Sequence, residues 1–310
     1  MIYTVSANPA LDLILTVPAI EFEVVLRAFE VRREMGGKGF NVSRYLKALG
    51  VDNVAVAFAA GFTGQALEAG LRSVGVETAF IYLEGETRTN VVIQEPGGRR
   101  HIKANQPGAT VTPEGMAAFW DLVRTRATPD DVWVLTGSLA PGLAPDFYAE
   151  VGEALHARGA RVVLDTSGPA LRRGCAARPL LVKPNVVEAE ELTGLTIRTV
   201  ETAAAAAAAF IDAGAQNVIL SMGKDGAIVA GGGDLLHLQP PAVTVRTAVG
   251  AGDAVVAGAV WALLQGLQTR DVGLWGVTTG TVTAMHDDLQ PQNRAELDAL
   301  RQQVTVRVLA

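Results

Sequence analysis

The run Gly250-Ala251-Gly252-Asp253 places three small residues and one carboxylate directly before the apolar stretch 254–267. If that stretch is a helix, its first N–H groups carry partial positive charge, and small residues let an anion approach them closely. A carboxylate beside an anion site repels the anion, so its presence there indicates a function. Asp253 could accept the proton of a hydroxyl that attacks phosphorus. The alternative is that Asp253 only caps the helix and the glycines only shape the turn.

A second glycine-rich segment, GGKGFN at positions 36–41, precedes another helical stretch. Its glycines allow close approach of the backbone to a ligand, Lys38 supplies a charge, and Asn41 can both donate to and accept from sugar hydroxyls. The segment is not a Walker A motif, because the required glycine spacing and the Ser or Thr after the lysine are absent. A purely structural glycine-rich helix start remains the alternative.

Two further segments follow candidate strands. Asp12 ends the segment NPALD at 8–12, beyond the strand 2–6, where ligands bind in open α/β sheets, so it could accept hydrogen bonds from neighbouring sugar hydroxyls. Asn185 follows the strand 180–183 and could cap a helix, and Glu188, one turn on, could hold a hydrated magnesium ion. The alternatives are an Asp12 that faces water and an N-cap with an acidic first turn and no metal.

Short β-branched runs alternate with longer helical stretches, a pattern typical of an α/β fold with a mostly parallel sheet flanked by helices on both faces. The sequence predicts strands at Ile2–Ser6, Val54–Ala60, Val132–Thr136, Arg161–Asp165, Leu180–Lys183 and Asn217–Ser221. It predicts helices at Gly39–Leu49, Gly64–Val74, Pro113–Arg126, Pro145–Arg158 and Thr199–Ala213. The alanine run 203–209 belongs to the last of these, since alanine is the best helix former.

Two regions break this alternation. Leu11–Thr16 and Thr89–Asn105 have the pattern of extended strands, and the second contains a Gly97-Gly98 turn suited to a hairpin. We expect a small antiparallel sheet that projects from the α/β body and acts as a lid, which would keep water from a phosphoryl group in transfer. The expected organisation is one domain over 1–310, with lid strands contributed by approximately 11–35 and 88–105.

Composition restricts the class of partner. The chain has 310 residues, 49% of them hydrophobic and 19% charged, and a net charge of −6 argues against nucleic-acid binding. Positive charge for a phosphorylated ligand must therefore be local, with Lys38, Arg88, Lys103 and Lys183 as candidates.

The single cysteine, Cys175, excludes an intramolecular disulfide and favours a reducing compartment. The first residues fit neither a signal peptide nor a membrane span, so we expect a cytoplasmic protein.

Taken in order, seven segments resemble the ribokinase-like carbohydrate kinases of the PfkB family: NPALD (8–12), GGKGFNV (36–42), TRTN (87–90), GSL (137–139), KPN with Glu188 (183–188), SMGKDG (221–226) and VGAGD (249–253). The similarity is greatest to the branch of 1-phosphofructokinases, tagatose-6-phosphate kinases and the minor 6-phosphofructokinase. It implies a ribokinase-like fold and ATP-dependent phosphorylation of a sugar phosphate. Asp253 would be the base, and the amides of Gly250, Ala251 and Gly252 the anion hole.

The resemblance also implies roles for the other residues. On the acceptor side, Asp12, Gly37 and Asn41 would bind the sugar, and its existing phosphate would be held by Arg88, Asn90 and Ser138, with Lys38 close by. On the ATP side, Ser221, Gly223 and Gly226 would line the nucleotide site, Lys183 and Asn185 would lie near the phosphates, and magnesium would be organised by Glu188 and Asp165. Arg88 is the main candidate clamp, since a guanidinium can grip a phosphate through two hydrogen bonds, although an exposed edge-strand arginine is the alternative.

The function that follows is ATP-dependent phosphorylation of fructose 1-phosphate, fructose 6-phosphate or tagatose 6-phosphate to the bisphosphate. The alternatives are a kinase of an unphosphorylated sugar or nucleoside, and a non-catalytic sugar-phosphate sensor. Ala248 departs from the family, where many relatives have threonine, and the segment 20–33 matches the family less well than its surroundings. Because an apolar face on the lid would commonly be buried by a second copy, we also expect a homodimer through the lid.

Overall fold

Strands and helices alternate along most of the chain, as the sequence pattern predicts. The computed structural model describes residues 1–98, 100–286 and 293–309. The strands in these ranges are β1 (Ile2–Ser6), β2 (Ala10–Thr16), β3 (Glu30–Gly36), β4 (Val54–Ala60), β5 (Glu77–Leu83), β6 (Thr89–Gln94), β7 (His101–Ala104), β8 (Val132–Thr136), β9 (Arg161–Asp165), β10 (Leu181–Val182), β11 (Asn217–Ser221), β12 (Ala227–Gly231), β13 (Asp234–Gln239) and β14 (Thr305–Val308).

The helices pack around these strands. They are α1 (Lys38–Ala48), α2 (Gly61–Ser73), α3 (Pro113–Arg126), α4 (Phe147–His156), α5 (Gly168–Ala176), α6 (Val186–Thr193), α7 (Val200–Asp212), α8 (Ala251–Leu264), α9 (Thr269–Ala284) and α10 (Arg294–Arg301). Helix α8 begins three residues before the apolar stretch 254–267, so Asp253 lies in its first turn. None of the helices in the described ranges is both long and apolar enough to cross a membrane.

The large sheet has the strand order β14-β13-β12-β11-β10-β9-β8-β1-β4-β5. From β11 to β5 neighbouring strands are parallel, whereas β12, β13 and β14 add antiparallel pairings at one edge. The mostly parallel sheet predicted from the sequence is therefore confirmed. Because parallel strands point the same way, the loops that follow β1, β8, β9, β10 and β11 emerge at one edge, where open α/β sheets bind ligands.

Helices cover both faces of this sheet, as predicted. Side chains alternate between the faces along each strand. In β8, Trp133 and Leu135 pack into the core beneath α3, α4 and α7, while Val132 and Val134 pack into the core with α1, α8 and α9. Each strand thus contributes to two cores, and α1 and α8 lie on the same face. Their first turns can therefore meet at the edge where the strands end.

The second sheet is small and has the order β3-β2-β6-β7. Its outer pairs, β2–β3 and β6–β7, are antiparallel, but the central pair β2–β6 is parallel. The expectation of an antiparallel sheet is wrong for this central pair. The strands β2 and β6 are separated by β3, α1, β4, α2 and β5, a connection long enough to return the chain in the same direction. Apolar side chains on its edge strands, among them Val31 and Ile102, are exposed.

Candidate active site

The carboxyl ends of the parallel strands open onto a cavity of about 840 Å³. This volume lies in the range of small-molecule sites. The structure brings the predicted catalytic and nucleotide-site residues to its wall, together with Asp165 from the predicted metal pair and Lys38 from the predicted acceptor set: Lys38, Asp165, Lys183, Asn185, Ser221, Gly223, Gly226, Gly250, Ala251, Gly252 and Asp253. These positions are widely separated in the sequence, so it is the parallel topology that gathers them.

The first turn of α8 leaves backbone amides available to a ligand. Gly250 takes a left-handed conformation, with φ 75°, and turns the chain into the helix. The amide of Ala251 makes a long 3.4 Å bond to the carbonyl of Ala248, while the amides of Gly252 and Asp253 make no backbone hydrogen bond within the described part of the chain. A Cβ on Gly252 would lie 3.5 Å from the Lys183 ammonium, so glycine leaves this approach open. The arrangement can bind an anion.

Asp253 is the most perturbed carboxylate of the cavity. It is only 7% exposed, and its Oδ2 accepts a 2.8 Å hydrogen bond from Asn41 Nδ2 on α1. Burial, followed by the negative charge of Asp165, raises the pKa of Asp253 to about 7, against the opposing effects of Asn41, Lys38 and Lys183. A carboxylate with a pKa near neutrality, fixed at a ligand cavity, is suited to act as a general base.

Two lysines neutralise the buried carboxylate at the end of β9. Lys38 Nζ lies 3.0 Å and Lys183 Nζ 3.3 Å from the same Oδ1 of Asp165, and Lys38 Nζ is also 3.9 Å from Glu188 Oε1. Burial lowers the pKa of Lys38, but Asp165 and Glu188 outweigh it and leave that pKa above its ordinary value. The structure thus places Lys38, which the sequence analysis assigned to the sugar phosphate, among residues assigned to the nucleotide and the metal.

Asn185 and Glu188 form a capping box at the start of α6. The Asn185 side chain accepts from the Glu188 amide at 2.9 Å, and Glu188 Oε2 accepts from the Asn185 amide at the same distance. The capping role considered from the sequence is therefore real. It occupies one oxygen of Glu188 and leaves Oε1 on the side of Lys38.

The residues present fit a hydrated magnesium ion. Asp165 Oδ2 is buried without a hydrogen-bond partner among the described residues, and Glu188 offers a second carboxylate oxygen nearby. No group of three or more His, Cys, Asp or Glu side chains forms a metal cluster within those same residues. A magnesium ion needs no such cluster, because it commonly keeps several waters and takes one or two carboxylates together with substrate phosphates.

The opposite wall of the cavity is formed by the loop after β11. Ser221 donates from its amide to the Pro184 carbonyl at 2.9 Å, and Gly223 and Gly226 have positive φ values of 60° and 83°. Other lining residues were not assigned from the sequence; they include Lys224 of the SMGKDG segment, Gln239, Pro240, Pro241, Val243 and Val245 at and after the end of β13, and Val277 and Ala284 in α9. Most of these lie in apolar segments, a pattern that ordinary core residues also produce.

The predicted acceptor-side residues lie on the small sheet and beside α1. Asp12 in β2 is paired in register with Asn90 in β6, and Asn90 Nδ2 donates to Asp12 Oδ1 at 2.8 Å. A Cβ on Gly36 would lie 2.6 Å from Asp12 Oδ2, so the glycine makes room for this carboxylate. Gly37 is the N-cap of α1 with φ 130°. Asp12 therefore belongs to the small sheet, rather than to the end of the first strand.

Arg88 is half-buried and bound to backbone, not exposed on an edge strand. Its guanidinium donates to the carbonyls of Asn8 at 2.7 Å, Pro9 at 3.3 Å and Gln106 at 3.4 Å. Burial lowers its pKa, with Asp12 opposing. Because a guanidinium has five N–H groups, these three bonds do not exhaust it. Ser138, the other predicted phosphate contact, is exposed just beyond β8.

Comparison with known proteins places the chain among phosphotransferases. Residues 5–295 match the pfkB family carbohydrate kinase profile. The chain belongs to the pfkB family. It is 37% identical over 289 residues to the 1-phosphofructokinase of Bacillus subtilis, covering 93% of this chain and 94% of that protein. It is also 37% identical over 312 residues to the 1-phosphofructokinase of Rhodobacter capsulatus, covering 99% and 98%.

Solved structures agree with this family assignment. Phosphofructokinase-2 from Escherichia coli in complex with substrates and products superposes with a TM-score of 0.89 at 26% identity, covering 97% of this chain and 98% of that one. The same enzyme in its tetrameric inhibited form has a TM-score of 0.88 over the same coverage. The ribokinase-like PfkB fold expected from the sequence motifs is thereby confirmed.

Proposed function

We propose that this pfkB-family kinase transfers the γ-phosphoryl group of ATP to fructose 1-phosphate, giving fructose 1,6-bisphosphate and ADP. The observation that carries the proposal is the buried Asp253 carboxylate, held by Asn41 beside the open amides of the α8 turn. Two relatives at 37% identity are named 1-phosphofructokinase, which favours this acceptor over other ketohexose phosphates.

In the proposed reaction the acceptor hydroxyl oxygen attacks the γ-phosphorus in line. A new P–O bond forms as the bond to the bridging β,γ-oxygen breaks, and ADP leaves with that electron pair. Asp253 takes the hydroxyl proton, and its pKa of about 7 lets it do so at neutral pH. The free amides of Gly252 and Asp253 stabilise the charge on the transferred group, with Gly250 and Ala251 shaping the turn.

The proposed acceptor contacts form two sets. Asp12, Gly37 and Asn41 hold the sugar, and Asn41 thus contacts both the sugar and the base. Arg88, Asn90 and Ser138 hold the existing phosphate, to which Asn90 would donate from Nδ2; its buried Oδ1, without a partner among the described residues, can only accept and would suit a sugar hydroxyl. Lys38, beside Asp165 and Asp253, is better placed to neutralise the transferred group than the sugar's own phosphate.

On the nucleotide side, Ser221, Gly223 and Gly226 would pack against ATP, and Lys183 and Asn185 would lie near its phosphates. A magnesium ion would be held by Asp165 and Glu188, directly or through water, and would supply charge neutralisation for the phosphates.

The single Cys175 is buried and unpaired, in agreement with the proposed cytoplasmic location.

The acceptor is tested by ADP release measured over fructose 1-phosphate, fructose 6-phosphate, tagatose 6-phosphate and their free sugars, with and without magnesium. We expect the highest kcat/KM for fructose 1-phosphate, and no turnover without the metal. A higher value for fructose 6-phosphate would replace the proposed acceptor. A higher value for a free sugar would favour the unphosphorylated-acceptor alternative, and absence of any ADP release would favour the sensor.

We also propose that the protein is a homodimer joined through the lid. The β2–β3 connection carries exposed apolar side chains, with Phe22 at 79%, Val25 at 83% and Phe29 at 63% exposure. These side chains lie within eight residues of one another, and clustered exposed apolar side chains are typical of interaction surfaces, which supports the proposal. Sedimentation velocity should give a dimer that dissociates in the Phe22→Ser/Val25→Ser variant. The matched control Phe62→Ser changes an equally exposed side chain on α2 and should leave the mass unchanged. A monomeric wild-type protein would contradict the proposal.

A further inference from the structure

The loop that connects β11 to β12 rests on the neighbouring strand β13. His237 Nε2 lies 2.8 Å from the carbonyl oxygen of Asp225, and Gln239 Nε2 donates to the carbonyl oxygen of Lys224 at 2.9 Å. Residues two apart on a strand point to the same side. Two side chains on one face of β13 therefore hold two consecutive carbonyls of this loop.

The backbone of the loop is shaped to lie against β13. Gly226 has a φ of 83°, and a Cβ there would overlap the Leu238 carbonyl oxygen. Within the loop, the Met222 amide donates to the Gly226 carbonyl at 2.8 Å. Residues 223–225 are themselves exposed, whereas His237 is 9% exposed. A largely buried imidazole thus ties an exposed loop to the sheet.

The same loop forms a wall of the cavity. Gly223, Lys224 and Gly226 line it, and Gln239 does so as well, but His237 does not. His237 can therefore act on the cavity only by holding the loop. The interaction requires a proton on Nε2, because a carbonyl oxygen can only accept.

We propose that His237 and Gln239 are positioning residues that hold the Gly223–Gly226 loop against the nucleotide and thereby set the affinity for ATP and ADP. The inference rests on the proposed function in one respect, that a nucleotide occupies this part of the cavity. It concerns binding and leaves the acceptor unspecified. Loss of one such hydrogen bond should weaken nucleotide binding about five- to tenfold.

The test measures ADP affinity by calorimetry in the absence of sugar, for His237→Leu, His237→Gln and Gln239→Met. We expect the Kd for ADP to rise about five- to tenfold in His237→Leu and Gln239→Met, and to recover to within about threefold of wild type in His237→Gln, whose amide can donate. In His237→Leu the KM for ATP should rise in parallel, with kcat and the KM for the sugar phosphate within about twofold of wild type. A general loss of structure would instead change all of these parameters.

Gln216→Met is the matched control. It removes a 3.1 Å amide bond to the carbonyl of Arg178, the same type of contact away from the cavity, and should leave the Kd for ADP unchanged. A folded His237→Leu protein with wild-type ADP affinity would overturn the inference. If that variant does not fold, Gln239→Met with unchanged affinity would do so. An inactive wild type that binds ADP through His237 would refute only the proposed function.

Discussion

The two sheets hold their functional side chains in different ways. At the large sheet, Asp165 is paired with Lys38 and Lys183, and Asp253, at the wall of the same cavity, is held by Asn41. On the small sheet, the side-chain contacts include the Asp12–Asn90 and Thr16–Glu30 hydrogen bonds and an exposed Arg32–Glu34 ion pair, and the edge strands are largely exposed. Buried charges that compensate one another are held in place strongly. Separating them would leave an unpaired charge in the protein interior, which is energetically unfavourable.

This difference suggests a division of labour between the sheets. The half that would perform phosphoryl transfer is assembled within the chain before any ligand binds. The half that would recognise the acceptor has no comparable cluster of buried charges among its described residues, so we expect its final geometry to depend more on the bound sugar phosphate. Substitutions of Asp253 and of the groups around it should therefore reduce kcat, and those at the small sheet should raise the KM of the acceptor.

The largest effect is expected for Asp253→Asn. Removal of the base should lower kcat by about 10²–10⁴-fold, because a positioned base contributes that much to proton transfer. The KM values for both substrates should change little. The matched control is Asp271→Asn, which changes an aspartate in the first turn of α9, outside the cavity. Full turnover by the Asp253→Asn enzyme would contradict the proposal that Asp253, at the large sheet, is the general base.

The pH dependence of kcat should follow the titration of Asp253. Because burial raises the pKa of this carboxyl to about 7, the base is mostly protonated below that pH. We expect kcat to fall about tenfold for each pH unit below 7 and to level off above it. Measurement of kcat at saturating substrates between about pH 5 and 9 separates this titration from that of the free sugar phosphate. A flat profile would show that proton removal does not limit turnover.

An intermediate effect is expected for Arg88→Ala on the small-sheet side. Loss of a charge-assisted phosphate contact should raise the KM for fructose 1-phosphate by about 10–100-fold, with much less effect on free fructose and on ATP. Arg100→Ala, which changes an exposed lid arginine paired with Glu95, is the control and should be close to wild type. Equal increases in KM for fructose 1-phosphate and free fructose would mean that Arg88 serves only to hydrogen-bond the backbone.

The smallest effect, and the sharpest comparison of the two regions, comes from two glycines. Gly250 in the α8 turn and Gly97 in the lid hairpin have similar φ values of 75° and 78°. Alanine at either position should lower the free energy of unfolding by roughly 1–2 kcal/mol, because a Cβ disfavours this conformation. Only Gly250→Ala should also lower kcat. Chemical denaturation and kinetics of both variants check this, and an equal loss of kcat would contradict it.

Much of the large sheet and the presence of the small sheet could be predicted from the sequence, whereas the antiparallel edge of the large sheet and the parallel β2–β6 pair could not. The strands Ile2–Ser6, Val54–Ala60 and Asn217–Ser221 were predicted with the bounds that the structure has. They are buried β-branched or apolar runs between clear breaks, so local pattern suffices. Strand β5 and the antiparallel β12–β14 edge were missed; β5 and β13 are only partly buried, β14 has four residues, and β12 and β13 follow one another without the helix that the α/β alternation leads one to expect.

The site divides in the same way. The order of the motifs and the types of their residues can be read directly from the sequence. The small residues before Asp253 and the capping box at Asn185 and Glu188 can also be predicted from it, because each depends on neighbours within one turn. Tertiary structure alone decided that Lys38 pairs with Asp165, that Asn41 holds Asp253, and that Arg88 binds the backbone. Those contacts join residues far apart in the chain, and their directions are set by which strands and helices lie side by side.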